Sequence, residues 1–321
     1  MHCEFSLARH HCPVCHHAEF MSIFSARLDQ DPLKSFILER YKTRGGLPDH
    51  MLTNFVYELC ECQLCHTIFQ RYIPDARLMS AIYNPVFDDE TIKRKTVRKA
   101  NAATPHRHKT ELRILFSQFP KPPRILDFGV GWGHWAKAAK SLGADVSGTE
   151  LDQERANLAR EAGISIINYN DLPNHEFDLI NTEQVFEHLP QPLETLTHLS
   201  KALAPNGCIK VSVPNSHGVE SGLRNPNWKS EHLNPIEPLQ HINCFRRRSL
   251  TAMGRKAGLC EKTLPLNLQY KYLRYINLKE LARDLLTPIN RNILKRSNYV
   301  IFTRPGHATA QPENQTPQYA G

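Results

Sequence analysis

The sequence predicts an α/β fold, a mostly parallel, doubly wound sheet preceded by a small cysteine-rich module. Three observations carry that reading. From Arg124 onward, short apolar runs alternate with helix-like stretches, the pattern of strand–helix–strand units whose strands lie parallel. Three glycines at every second position, Gly129, Gly131 and Gly133, follow the first apolar run. Six of the nine cysteines fall before residue 66, and four of these form two Cys-x-x-Cys pairs.

Bulk properties narrow the field. At 321 residues, 40% hydrophobic, with three Trp and fourteen Phe, the chain can bury a full core as one large or two modest domains. The opening "MHCEFSLARHHCPVC" has no apolar stretch of signal-peptide length, and no run of about 18 apolar residues could span a bilayer. The expectation is a soluble, cytoplasmic protein, and without an export signal the cysteines point to metal rather than to disulfides. The net charge of +8 comes from runs such as "KRKTVRK" (93–99), "RRR" (246–248) and "LKR" (294–296). Such runs are either solvated faces or meet an anionic partner, whether nucleic acid, a phosphorylated small molecule or a membrane surface. No aromatic residues are interleaved in them, which weakens the nucleic-acid reading.

Residues 1–75 form the Cys/His-rich module and 76–120 a basic helical bridge closed by the breaker "FPKPP". The main domain covers 121–305. Its strands are "RILDF", "ADVSGTEL", "ISIINY", "FDLINTEQ", "CIKVSVP" and "NYVIFTR". Its helices are "HWAKAAKSLG", "DQERANLAREAG", "PLETLTHLSKALA" (192–204), "RRSLTAMGRKAG" and a basic segment near 277–295. After residue 214 the rhythm breaks into an Asn-, Pro- and His-rich stretch that reads as a functional loop or lid. The polar tail 306–321 reads as disordered.

Alternate glycines let the backbone turn sharply out of a strand and let a ligand approach it closely, and the following helix turns its first N–H groups toward that ligand. A dinucleotide site wants G-x-G-x-x-G/A, and the frame from Gly129 puts His134 at the third position, where a small residue belongs. The frame that fits is D-x-G-x-G-x-G, Asp127 to Gly133. It resembles the first motif of class I S-adenosylmethionine-dependent methyltransferases. The resemblance covers about residues 110–305 and implies a Rossmann-like, seven-stranded sheet. It implies cofactor contacts from Asp127, Gly129, Gly131 and Gly133, with Glu150 at the end of the second strand on the ribose hydroxyls. It also implies Asp171, in "NYNDLP", near the adenine amino group, and Glu183 at the end of the fourth strand. With "FEHLP" after the fourth strand and "HINCFRRRSL" further on, the chain is similar to the ubiquinone-biosynthesis type of O-methyltransferase.

Methyl transfer from a sulfonium is an in-line displacement, so alignment supplies most of the gain, and a base is needed only for a hydroxyl or ammonium acceptor. His188, just past the fourth strand at the sheet edge where open α/β folds bind ligands, is the first candidate. His241 is the second, whereas His217 and His232 read as structural. Glu187 also reads as a helix cap. Small-RNA 2′-O-methyltransferases gather a divalent ion with E-x-x-E-H and a later histidine. Here Glu187-His188 and His241 match, but Gln184 stands at the first acid's position and Glu183 is one residue off.

Cys12-x-x-Cys15 and Cys62-x-x-Cys65 form the pattern of a zinc-ribbon-like module, four thiolates around one structural Zn²⁺, although the 46 intervening residues exceed the usual spacer. Within that spacer "DPLKSFILERYK" reads as a looped-out helix. Cys60, His10, His11, His16 and His17 are competing ligands. The function that the resemblance implies is S-adenosylmethionine-dependent methylation of a hydroxyl on a sugar, quinone-like or secondary-metabolite acceptor, free or carrier-linked. The alternatives are an RNA methyltransferase and a non-catalytic, cofactor-binding zinc-ribbon interaction protein. The intact glycine loop, Glu150 and Glu187-His188 argue against the last.

Overall fold

The structure is a computed structural model that describes residues 3–42, 46–83, 105–216, 218–223, 234–272 and 278–306. The basic run 93–99, His217, His232 and nearly all of the tail lie outside these residues. The chain divides into two compact units that do not follow chain order: 1–97 with 184–195 and 213–256, and 98–183 with 196–212 and 257–321.

The first unit is built on strands β1 (Ser6–Ala8), β2 (Phe20–Arg27), β3 (Val56–Cys62), β4 (Ile68–Gln70) and β5 (Tyr72–Pro74). β2, β3 and β4 form an antiparallel meander, and β1 pairs antiparallel with β5. The looped-out helix forms at Leu33–Lys42 and buries Leu33, Ile37 and Tyr41, a spacing of one per turn. These side chains join Leu28, Phe55, Tyr57 and Leu59 in the core of this unit. A late segment completes the unit, since Ile236, Leu239 and Cys244 lie in the same core.

In the second unit the alternation of runs becomes β6 (Arg124–Phe128), β7 (Asp145–Thr149), β8 (Ser165–Ile166), β9 (Phe177–Glu183) and β10 (Leu203–Ser212). The two-residue β11 (Asn243–Cys244) belongs to the first unit, where it adds a fourth strand beside β4. β12 (Cys260–Lys262) and β13 (Tyr299–Thr303) finish a seven-stranded sheet of order β12-β13-β10-β9-β6-β7-β8. The five strands from β10 to β8 are parallel, and β13 and β12 are antiparallel to their neighbours. Ile125 and Leu179, on neighbouring strands, pack with Ala136, Ala139 and Ala159 of the covering helices. Small side chains on those helices let the backbones approach the sheet closely.

Three local expectations change. The run "ISIINY" contributes only the two residues of β8. The helix from Pro192 ends at Lys201, because Leu203 already pairs with Phe177 as the start of β10. The seventh strand, β12, has a polar–charged sequence, Cys-Glu-Lys, whose pairing along β13 rather than its own apolar content makes it a strand.

Candidate functional site

In the second unit, strand order reverses between β6 and β9, and the carboxyl ends of these two strands form the switch point at which open α/β sheets bind ligands. The glycine loop leaves β6 there, with Gly129, Gly131 and Gly133 all at left-handed φ of 80°, 55° and 74°. Thr149 receives it: the Gly129 and Val130 N–H groups donate to the Thr149 carbonyl at 3.2 and 3.0 Å, and Gly129 N–H also reaches Thr149 Oγ1 at 3.1 Å. Gly148 in β7 makes this approach possible, since a Cβ there would lie 2.0 Å from Val130 Cγ2. A Cβ on Gly131, in contrast, would meet nothing within 4 Å. The loop therefore packs on one side and is open on the other.

Glu150 fastens this loop. Its Oε2 accepts from Gly131 N–H at 2.8 Å, and its Oε1 accepts from the N–H groups of Leu151 and Asp152 at 3.0 Å each. Three backbone donors hold the carboxylate in one orientation beside the open face of the loop, with lone pairs left for further donors. The neighbouring Leu151 side chain is 98% exposed, an apolar surface next to a fixed anion. Asp171 lies exposed on the 3₁₀ helix Tyr169–Asn174. Asp127 points into the sheet: it is buried, and its Oδ1 accepts from Asn181 Nδ2 at 2.7 Å. Burial raises its carboxyl to about 7, against the lowering effect of Asn181.

Three residues of this unit escaped sequence reasoning. Lys210, in the middle of β10 and 1% exposed, places its Nζ 2.9 Å from Glu183 Oε2 and 3.3 Å from Glu111 Oε2. Trp135 Nε1 donates to the same Glu111 oxygen at 3.3 Å. Burial would raise Glu111, but Lys210 and Arg291 pull it down to about 2. A buried ammonium between two carboxylates thus fixes Glu183, whose side chain stays one-third exposed at the end of β9. The signal was the lysine interrupting the apolar run "CIKVSV", since buried charges occur when paired.

The first unit holds the other candidates. Cys12, Cys15, Cys62 and Cys65 are all buried, with sulfurs within 4.8 Å of one another and the pairs Cys12–Cys65 and Cys15–Cys62 at 3.5 Å. The two knuckles repeat one backbone pattern. His16 N–H donates to the Cys12 carbonyl and Cys12 N–H to the His17 carbonyl; His66 N–H donates to the Cys62 carbonyl and Cys62 N–H to the Thr67 carbonyl. His16 and His66 sit at left-handed φ of 60° and 58°. Burial pushes Cys15 up to about 12, while the hydrogen bond from Cys12 pulls Cys65 down to about 5. A tetrahedral ion at 2.3 Å from each sulfur needs S···S separations of about 3.8 Å, so the four thiols fit Zn²⁺ with small adjustments. Cys60 and the four nearby histidines are not among the clustered ligands. Arg9, three residues before Cys12, is buried with neutral acceptors, Asn243 Oδ1 at 2.8 Å and the carbonyls of Ile242 and Pro190. A zinc tetrathiolate is formally dianionic and would give this cation its counter-charge.

In the same unit Glu187, His188 and His241 come together, with one ligand atom of each within 4.8 Å of the others. His188 donates Nδ1–H to the Gln240 carbonyl at 2.9 Å, and His241 donates Nδ1–H to the Asn234 carbonyl. Both rings thereby keep Nε2 as the acceptor nitrogen. The rings meet edge to face at 4.7 Å, and His188 Nε2 lies 3.9 Å from Glu187 Oε1. Burial, then the neighbouring His241, lowers His188 to about 4, and burial lowers His241 as well. Long-range tethers hold these segments. Asn243 Nδ2 donates to the carbonyls of Phe186 and Leu189, Gln70 Nε2 to those of Glu237 and His241, and Arg40 clasps Glu237 with two bonds of 2.7 and 2.9 Å.

A family model described as a methyltransferase domain matches residues 100–260. The ubiquinone biosynthesis O-methyltransferase of Vibrio campbellii is 27% identical over 176 residues, 48% of this chain and 74% of that protein. The enzyme of the same name from Thiobacillus denitrificans is 29% identical over 150 residues, 42% of this chain and 64% of that protein, so this chain spans just under two thirds of its length. Among solved structures, the plantazolicin methyltransferase BpumL, in complex with a monoazolic desmethylPZN analog and SAH, is 17% identical. The match covers 70% of this chain and 92% of that one, with a TM-score of 0.45.

Proposed function

The chain belongs to the class I S-adenosylmethionine-dependent methyltransferases, and from that membership we propose that it methylates an oxygen of a small or carrier-linked acceptor such as a sugar, a quinone-like ring or a secondary metabolite. One observation carries the cofactor side: Glu150, locked by Gly131 N–H at 2.8 Å, lies against a glycine loop whose other face is open. S-adenosylmethionine, when bound, supplies the electrophilic methyl group. Gly129, Gly131 and Gly133 leave its path free of side chains, Glu150 accepts from the ribose hydroxyls, Leu151 offers an apolar face to the adenine, and Asp171 accepts from its amino group. Asp127 stiffens the strand beneath the loop through Asn181, and Glu183 marks the acceptor-side strand end.

On the acceptor side, His188 Nε2 takes the hydroxyl proton, with His241 as its substitute. The tautomer needed for that role is the one that the Gln240 carbonyl selects. The convergence of Glu187, His188 and His241 favours a second reading, in which these three residues hold a divalent cation that binds the acceptor oxygen. Cys12, Cys15, Cys62 and Cys65 hold a structural Zn²⁺ in either reading. Calorimetric titration with S-adenosylmethionine followed by an acceptor screen with labelled methyl donor tests the activity. Metal analysis of a Cys12→Ser/Cys15→Ser variant separates the two acceptor-side readings. Residual metal that His241→Ala removes supports the cation, and its absence supports the base.

A further inference from the structure

Eleven large apolar side chains are exposed among the described residues, and five of them fall between 266 and 294. Leu285, Leu286, Ile293 and Leu294 are 43–60% exposed, and Leu266 joins them from the preceding helix. The segment is built rather than loose. The helix Leu278–Pro288 runs directly into a π-helical turn, Ile289–Ile293, so Leu285, Ile289 and Ile293 recur at intervals of four and share a side. Tyr270 Oη donates to the Leu285 carbonyl at 3.2 Å, tying the helix Leu266–Lys271 to it, and Asn292 Nδ2 donates to the Leu264 carbonyl at 3.4 Å. Arg291 stacks on the Tyr299 ring at 3.7 Å, which anchors the turn to β13.

Cations border this apolar stripe. Lys271, Lys295 and Arg296 are exposed around it, and the chain as a whole carries +8. A second copy of so basic a chain would be repelled from the stripe, whereas an anionic surface would be drawn to it. An apolar stripe bordered by Lys and Arg is the pattern of helices that lie in the plane of a membrane interface. No helix among the described residues is long and apolar enough to cross a membrane, so the contact is with a surface.

We propose that the helix Leu266–Lys271 and the run Leu278–Arg296 seat the protein on an anionic lipid bilayer, with Leu285, Leu286, Ile293 and Leu294 entering the headgroup boundary and Lys271, Lys295 and Arg296 meeting lipid phosphates. The inference stands whatever the methyl acceptor is. The test is sedimentation of the full chain with vesicles of equimolar phosphatidylglycerol and phosphatidylcholine, beside vesicles of phosphatidylcholine alone. The full chain binds the anionic vesicles and is released as salt rises to about 0.5 M. Leu286→Asn/Ile293→Asn binds roughly tenfold more weakly, as does Lys295→Glu/Arg296→Glu, with melting temperature and S-adenosylmethionine affinity unchanged. The proposal is overturned if the full chain ignores anionic vesicles or if both double variants bind like the parent. It is equally overturned if light scattering shows a dimer that Leu286→Asn/Ile293→Asn breaks, which would make the stripe an interface between copies.

Discussion

The glycine loop and the Glu187–His188–His241 cluster solve the same problem by opposite means. The loop is made of consecutive residues, and its conformation is written in its own φ angles and in one carboxylate from the next strand. The cluster joins groups from two distant stretches, and its geometry depends on Asn243, Gln70 and Arg40, whose bonds span 54, 171 and 197 residues. A site built on backbone tolerates change in its surroundings, while a site built on tethered side chains inherits every weakness of its tethers.

The largest test of that difference is removal of the thiol cluster. Cys62→Ser, or prolonged chelation, should cost much of the roughly 10–16 kcal/mol that a structural zinc contributes. Limited proteolysis should then cut within 3–83 while S-adenosylmethionine binding persists. A zinc content below one per chain in chelator-free protein would remove the basis of this expectation. Next in size is His188→Ala, which should lower turnover of a hydroxyl acceptor by roughly 10²–10⁴ and leave cofactor affinity within a few-fold. Steady-state kinetics beside calorimetry reads both quantities, and a loss of cofactor affinity with intact turnover would make the histidine structural. Glu150→Ala should weaken S-adenosylmethionine by about 1.5–3 kcal/mol, and the partner release of Gly131 N–H should show as faster amide exchange in the loop.

The last test varies pH. His188 holds a pKa near 4 in the folded chain and about 6.5 when unfolded, so the unfolded state binds more protons between these values. Its contribution is therefore complete above about pH 6.5. It declines by up to about 1.4 kcal/mol per pH unit as pH falls toward 4. Urea melts at pH 7 and pH 5, with His188→Gln as the control, check this slope. An unchanged slope in the variant would assign the loss to other groups.

Local features were legible in the sequence. β6, β7 and β9 follow their apolar runs, and the looped-out helix between the knuckles forms at Leu33–Lys42, within the stretch 31–42 read as helical. Glu150 could be named because the methyltransferase resemblance implies an acid at the end of the second strand, a place that β7 and the glycine loop give it. What stayed hidden was set by partners far along the chain. Lys210 looks like a flaw in an apolar strand until Glu111 and Glu183 are seen to close on it. The Asn-, Pro- and His-rich stretch after residue 214 has no periodicity of its own, yet Ile236, Leu239 and Cys244 enter the N-terminal core. Two residues, Asn243 and Cys244, suffice for a strand because β4 supplies the ladder. Nothing in a two-residue run announces that.

Strand β11 also dictates a timetable. During synthesis β4 is complete soon after residue 70, but the carbonyl of Ile242 that receives the Gln70 N–H, and the Asn243 side chain that receives Arg9, emerge from the ribosome much later. Until then the Arg9 guanidinium lacks its acceptors and the edge of β4 stays open, while the whole of 105–183 is translated in between. Contacts of such sequence separation slow folding. The N-terminal unit is therefore not one contiguous cassette: a gene fragment ending at residue 97 would encode its four-stranded sheet without β11 and its core without Ile236, Leu239 and Cys244.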